Sequence, residues 1–124
     1  MSREILFKAK TCSGEWVEGL LAHKDDKWYI SNKAGMPFAF EVRPETICQY
    51  TGLTDENGNK IWENDIAVRR SSQEEFIGKI IYDRNGSLCH REFQTDYEAL
   101  LIGSVTVIGN IFDNPELIKG SEQE

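Results

Sequence analysis

The sequence predicts a mainly β chain: a small barrel with extra strands and one short helix. Three observations predict it. Apolar and polar residues alternate over short runs, as in Phe7-Lys8-Ala9-Lys10 and Phe38 to Val42. Turn signals recur between the runs at Ser13-Gly14, Asp25-Asp26, Asn57-Gly58 and Asn85-Gly86. A helical signal is confined to one short stretch near the C-terminus. Alternation at period two sets one face of a strand against a core. Gly, Asn and Asp supply the backbone angles and local hydrogen bonds that turns require.

The elements follow in order. Ile5, Phe7 and Ala9 alternate with Leu6, Lys8 and Lys10, which predicts a half-buried strand. Thr11 to Glu15 is a turn, Trp16 to His23 a second strand and Lys27 to Ser31 a third, forming an antiparallel meander. Lys33 to Pro37 is a loop. A short strand over Phe38 to Val42 is interrupted at Arg43-Pro44, because Pro cannot donate to a ladder. Extended structure resumes over Thr46 to Tyr50. Asn57-Gly58 predicts a tight hairpin turn with positive φ. Ile66 to Arg70 is a strand, Ser71 to Glu75 a polar loop, and Phe76 to Tyr82 a strand with Phe76, Gly78, Ile80 and Tyr82 on one side. Asn85-Gly86 turns it into Leu88 to Phe93. Thr95-Asp96-Tyr97-Glu98 fits a capping box for a helix through Ile102, ended by Gly103. Val105 to Ile108 is a last strand, and Asn114-Pro115 starts a terminal turn. About six to nine short strands between frequent turns favour a barrel or sandwich. The corner, strand, loop, strand and hairpin in the middle look like an SH3-like barrel, whose closure removes sheet edges.

With 124 residues the chain is long enough for a hydrophobic core without disulfides or a structural metal. The expected organisation is a single domain over residues 1–118 and a disordered tail over 119–124. A net charge of −7 argues against broad nucleic-acid binding, which needs a basic face to displace counterions. Arg69-Arg70 is the only adjacent Arg pair. Cys12, Cys48 and Cys89 are odd in number and widely spaced, against a disulfide framework or a zinc site. Reduced thiols suit a cytoplasmic protein. No apolar run is long enough for a signal peptide or a membrane-spanning helix, so no membrane role is expected.

Residues Gln49 to Ile66 are the most informative segment. Gln49-Tyr50-Thr51-Gly52-Leu53-Thr54-Asp55 leads through Asn57-Gly58 and Ile61 to the corner Glu63-Asn64-Asp65-Ile66. With Arg3 to Ala9 before it and Val107 to Leu117 after it, the segment resembles the YopX proteins of bacteriophages and prophages. Relatives usually carry Glu-Gly-Asp where this chain has Glu63-Asn64-Asp65. Asn is the non-Gly residue that best tolerates left-handed angles, so the corner is expected to be retained. The resemblance implies a bacterial or phage protein, a mainly β fold and self-association. It implies no catalytic residues.

The signature has a structural explanation. Gly52, Gly58 and Gly109 suit sharp turns or close backbone approaches. Asp55, Asp65 and Asp113 suit bonds to backbone N–H groups in turns, and Tyr50, Trp62 and Phe112 supply core area. The chemical alternatives are weaker. Asp55, Asn57 and Asn59 begin like a calcium loop, but Lys60 stands where that loop needs Gly and Ile66 where it needs Glu. Asp55, Glu56, Glu63 and Asp65 are candidates for divalent-metal or acid–base work only within a shielded cleft. Cys89 and His90 are adjacent, but neighbours in a strand point to opposite faces. No phosphate-binding loop or nucleophile elbow occurs. Trp16, Trp28, Tyr29 and Trp62 are candidates for a stacking platform, though a domain this size must bury its large rings.

The expected function is a non-catalytic accessory protein, acting as an interaction or self-assembly module without a cofactor. Its partners would be a second copy or a phage or host protein. A nucleic-acid-associated factor is the first alternative, and a small metal-dependent hydrolase using the central carboxylates is the second. The candidate interaction residues are Tyr50, Asp55, Trp62, Asp65, Arg69 and Arg70.

Overall fold

The computed structural model describes residues 6–31, 39–70, 72–95, 97–101 and 105–122. The expected strand start at Ile5, the Lys33–Pro37 loop, Phe38 and the helix stop at Gly103 lie outside them. The chain divides into two compact units at Gly52 and Leu53.

In the first unit, β1 (Phe7–Lys10), β2 (Trp16–Lys24), β3 (Lys27–Ser31), β4 (Phe40–Val42) and β5 (Cys48–Thr54) form an antiparallel sheet in the order β4-β3-β2-β1-β5. The alternation in β1 does what it predicts. Ala9 is fully buried with Ile30 and Val42, and Phe7, Val17, Leu21, Trp28 and Ile47 pack against them. Asp25 and Asp26 both take positive φ (55° and 66°), so the two-residue β2–β3 turn is of the primed type that matches strand twist. After Pro44 a 3-10 turn spans Pro44–Thr46. Thr46 is buried there, accepting the Lys10 N–H at 2.8 Å and donating to the Arg43 carbonyl at 2.7 Å.

The second unit takes up the chain at the end of β5 and turns into β6 (Lys60–Trp62). β7 (Asp65–Arg70), β8 (Glu75–Tyr82), β9 (Leu88–Glu92), β10 (Glu98–Leu100) and β11 (Val105–Asn110) follow, then α1 (Pro115–Glu122). The antiparallel sheet order is β10-β9-β8-β7-β11. Ile61, Ala67, Ile80 and Val105 form the core, with Leu88, Leu101 and Val107 packed on it.

Three hairpin turns share one design: Thr11–Glu15, Asp55–Asn59 and Asp83–Ser87. In each, the first residue bonds the fifth through backbone groups, and the Gly in fourth place donates back to the first carbonyl. Only the Gly has positive φ (92°, 86° and 82°). The loops are therefore three-residue turns with a bulge at Gly, and Gly58 takes the positive φ expected of the Asn57-Gly58 turn. The side chain of the first residue holds each loop. Asp55 Oδ1 accepts the Asn57 and Asn59 N–H groups, and Asp83 Oδ1 accepts those of Asn85 and Ser87.

Three further expectations are corrected. The fold is mainly β, but among the described residues neither sheet order closes into a barrel. One open end of each sheet is blunted instead: β4 has three residues, and β11 shifts register between Val107 and Gly109. The helix expected after Thr95 is strand β10, whose Ala99 pairs with His90. Thr95 donates to Glu92 Oε1 and accepts the Tyr97 N–H, so its hydroxyl closes a turn rather than a capping box. Cross-strand pairing overrode local helix propensity there. The terminal turn at Asn114-Pro115 is a longer helix, α1.

Candidate functional site

The central segment places its signature residues inside. Tyr50, Trp62, Asp55 and Asp65 are all buried. Asp55 lies at the start of its turn, against the bulged strand β11. Its Oδ2 accepts the Val107 N–H at 3.0 Å, while Glu56 N–H donates to the Val105 carbonyl. The turn thus serves as the missing neighbour of β11. Burial pushes the Asp55 pKa up, but the N–H groups of Val107, Asn59 and Asn57 outweigh it and hold the carboxyl below its ordinary value.

Asp65 Oδ2 accepts the Trp62 N–H at 2.8 Å and closes the corner between β6 and β7. Asn64 takes φ 73° there, so the corner keeps its left-handed residue. Its N–H donates to the Ile80 carbonyl, and its own carbonyl accepts the Ile111 N–H. Asn64→Gly is expected to leave stability within about 0.5 kcal/mol, and Asn64→Val to cost about 1–2 kcal/mol. Urea unfolding of both variants checks this.

The closing motif is held by Asn110 rather than Asp113. Asn110 Oδ1 accepts the N–H groups of Phe112 and Asp113, whose own Oδ2 accepts from Asn110 Nδ2. Gly109 leaves room for Asn114: a Cβ there would stand 2.5 Å from Asn114 Oδ1.

Arg69 and Arg70 lie at the end of β7, in the strand expected over Ile66 to Arg70, and carboxylates hold both. Arg70 donates to Glu75 at 3.0 Å, to Glu56 at 2.9 Å and to Thr106 at 2.8 Å. The Thr106 hydroxyl also bonds Glu56. Arg69 donates through Nη2 to Glu92 at 2.8 Å and stacks over Phe76 at 4.6 Å, while its buried Nε has no partner among the described residues. Beside them is a pocket of about 170 Å³ lined by Glu75, Phe76, Ile77, Glu92 and Gln94. Sequence reasoning missed Glu92 and Phe76 as a unit with Arg69. The register that joins them spans separate strands and has no local signal.

His90 is fully buried, with Nε2 2.8 Å from the Ala67 carbonyl, so Nε2 carries the proton. Its Nδ1 has no partner among the described residues. Burial lowers the His90 pKa, so the folded ring is neutral where the unfolded one binds a proton. Stability is therefore expected to fall as pH drops below about 6.5, by at most about 1.4 kcal/mol per pH unit, until the folded value is reached. His90→Gln would flatten that part of a pH series of urea unfolding curves. Cys89 is no partner for His90: its Sγ is turned to Asp83 and Ser87, and burial followed by the Asp83 charge raises its pKa.

The central carboxylates do not gather. Among the described residues no group of three or more His, Cys, Asp or Glu is placed to hold a metal ion. The aromatics do not form one platform either. Trp62 is core, Trp28 stacks on His23 at 4.3 Å, and Trp16 lies under Lys8 and Lys10 at 4.6 and 5.4 Å. No helix among the described residues is long and apolar enough to cross a membrane.

A family model described as YopX protein matches residues 5–119. The chain belongs to the YopX family. No curated protein matches it. Among solved structures, this YopX chain is similar to the crystal structure of protein EF1440 from Enterococcus faecalis. The TM-score is 0.58 at 22% identity, covering 94% of this chain and 99% of that one. That likeness bears on the fold alone. Within the matched residues, Asp55, Asn64, Asp65 and Asn110 are, by their contacts, residues that close turns.

Proposed function

We propose that this YopX protein is a non-catalytic accessory protein of a phage or prophage. It acts in the bacterial cytoplasm as an interaction module and pairs with a second copy or another protein. One observation carries this reading. β10 ends the five-stranded sheet, and Leu100 on it and Tyr97 just before it are 57% and 59% exposed, the most exposed large apolar residues among those described. A sheet edge flanked by exposed apolar side chains suits strand addition by a partner. The central carboxylates support the same reading, because Asp55 and Asp65 are engaged by backbone N–H groups rather than turned to a substrate.

Light scattering over a concentration series tests self-association. The expected result is an oligomer that Leu100→Lys dissociates. A strict monomer at high concentration would remove the self-association part, leaving pull-down with nuclease treatment to find a different protein.

The nucleic-acid alternative has less support at Arg69 and Arg70, since Glu92, Glu56 and Glu75 neutralise both. Its best surface is Trp16 with Lys8 and Lys10. Absence of a gel shift at low salt would remove it.

A further inference from the structure

We propose that Asn85 is a self-modification site: in the folded chain its side-chain amide is lost to attack by the Gly86 backbone nitrogen, while Asn57, in the same motif, is kept intact. This goes beyond the interaction-module reading and does not depend on it.

Asn-Gly occurs twice in the chain, at Asn57-Gly58 and Asn85-Gly86. Gly has no side chain to shield its backbone nitrogen, so that nitrogen can reach Cγ of the preceding Asn. The deprotonated nitrogen forms a bond to Cγ, the Cγ–Nδ2 bond breaks, and Nδ2 leaves as ammonia with the proton that the nitrogen gave up. Water then opens the cyclic imide. Breaking the bond from the nitrogen to Cγ gives aspartate, and breaking its bond to the main-chain carbonyl carbon gives isoaspartate. Either product adds a negative charge at the turn. No oxidant or reductant takes part, and solvent supplies the water, since both Asn residues are exposed.

Both turns hold the attacking nitrogen in the same way. The Gly58 N–H donates to the Asp55 carbonyl at 3.0 Å, and the Gly86 N–H to the Asp83 carbonyl at 2.9 Å. The reaction needs that bond broken, so its rate follows how often each turn opens. Neither Asn side chain is bonded to another of the described residues, so the side chains do not distinguish the two sites.

What ties each turn down does distinguish them. Among the described residues, the bonds of the Asp83 turn all fall within residues 83–89. Asp83 and Ser87 pair through their backbones, Asp83 Oδ1 accepts the Asn85 and Ser87 N–H groups, and Cys89 Sγ reaches Asp83 Oδ2 at 3.8 Å. This hairpin tip opens without disturbing any other strand. The Asp55 turn is fastened to β11 and β7 instead. Buried Asp55 accepts the Val107 N–H at 3.0 Å, and the Glu56 N–H donates to the Val105 carbonyl at 3.1 Å. The Glu56 carboxylate also meets Arg70 and Thr106. Opening this turn strips a buried carboxylate of a donor on a neighbouring strand, which costs more than fraying a tip.

The test is incubation of the full chain, folded and in urea, in one mildly alkaline buffer, with peptide mass spectrometry following conversion at each Asn. In the folded protein Asn85 is expected to convert at least about tenfold faster than Asn57, and in urea the two rates should come within about threefold of each other. Gly86→Ala should slow conversion at Asn85 at least about tenfold and leave Asn57 unchanged. Nothing lies within 4 Å of a Cβ at Gly86, so that variant carries only backbone strain and is expected to fold. Equal rates at the two sites in the folded protein, or no conversion at Asn85 there, would overturn the proposal. A gap of about tenfold that persists in urea would overturn it too, because flanking sequence rather than the ties on each turn would then set the rates.

Discussion

Gly78→Ala is expected to destabilise the second unit by about 3 kcal/mol or more, enough to unfold many domains of this size. Gly78 sits inside β8, opposite Ala67 on one side and Glu92 on the other. A Cβ at this position would stand 2.1 Å from the Arg91 carbonyl oxygen, 2.6 Å from its carbon and 2.9 Å from His90 Cε1. Two of these three atoms are backbone in a paired strand, which moves only by breaking the β8–β9 ladder. The third belongs to a fully buried ring bonded to Ala67. The strand closes over His90 because residue 78 has no side chain. Gly58→Ala is the contrasting control. Nothing lies within 4 Å of a Cβ there, but φ is +86°, so only backbone strain of about 1–2 kcal/mol is expected. Urea unfolding followed by tryptophan fluorescence separates the two. Similar small losses in both would contradict the close approach at Gly78.

Asp55→Ala is expected to cost about 2–4 kcal/mol, because three backbone N–H groups lose a charged acceptor at a buried position. Asp55→Asn keeps one acceptor oxygen and should cost less. The pH dependence has a defined sign. The folded carboxyl lies below its unfolded value, so its stabilisation is present above about pH 4 and is lost as pH falls through the folded value. Asp55→Asn should therefore lessen the acid loss of stability below about pH 4. An unchanged acid limb would show that another carboxylate governs it.

Much of this fold was legible because its devices are local. Alternation in β1 and β8 placed Ala9 and Ile80 inside. The Asn57-Gly58 and Asn85-Gly86 signals marked both turns that Asp55 and Asp83 hold. Asn64 was recognisable as the left-handed corner residue, since few side chains tolerate that conformation. What escaped was set across strands. Thr95 has the local chemistry of a helix cap, but the pairing of Ala99 with His90 decided the outcome. Arg69 looked like an exposed cation until β7, β8 and β9 brought it to Glu92 and Phe76. The pocket arises where β9 stops short of β8, and a strand's end relative to its neighbour leaves no mark in either segment.

The central claim is that Asp55 and Asp65 build the fold rather than perform chemistry. It is tested most directly by urea unfolding of the wild type, Asp55→Ala and Asp65→Ala, each with excess EDTA and with millimolar Mg²⁺ or Mn²⁺. The account predicts that both variants lose stability to the same extent in EDTA and in metal, and that the wild type gains nothing from metal. A wild type stabilised by the ion, with variants as stable as wild type in EDTA and blind to metal, would contradict it and return the carboxylates to a catalytic role.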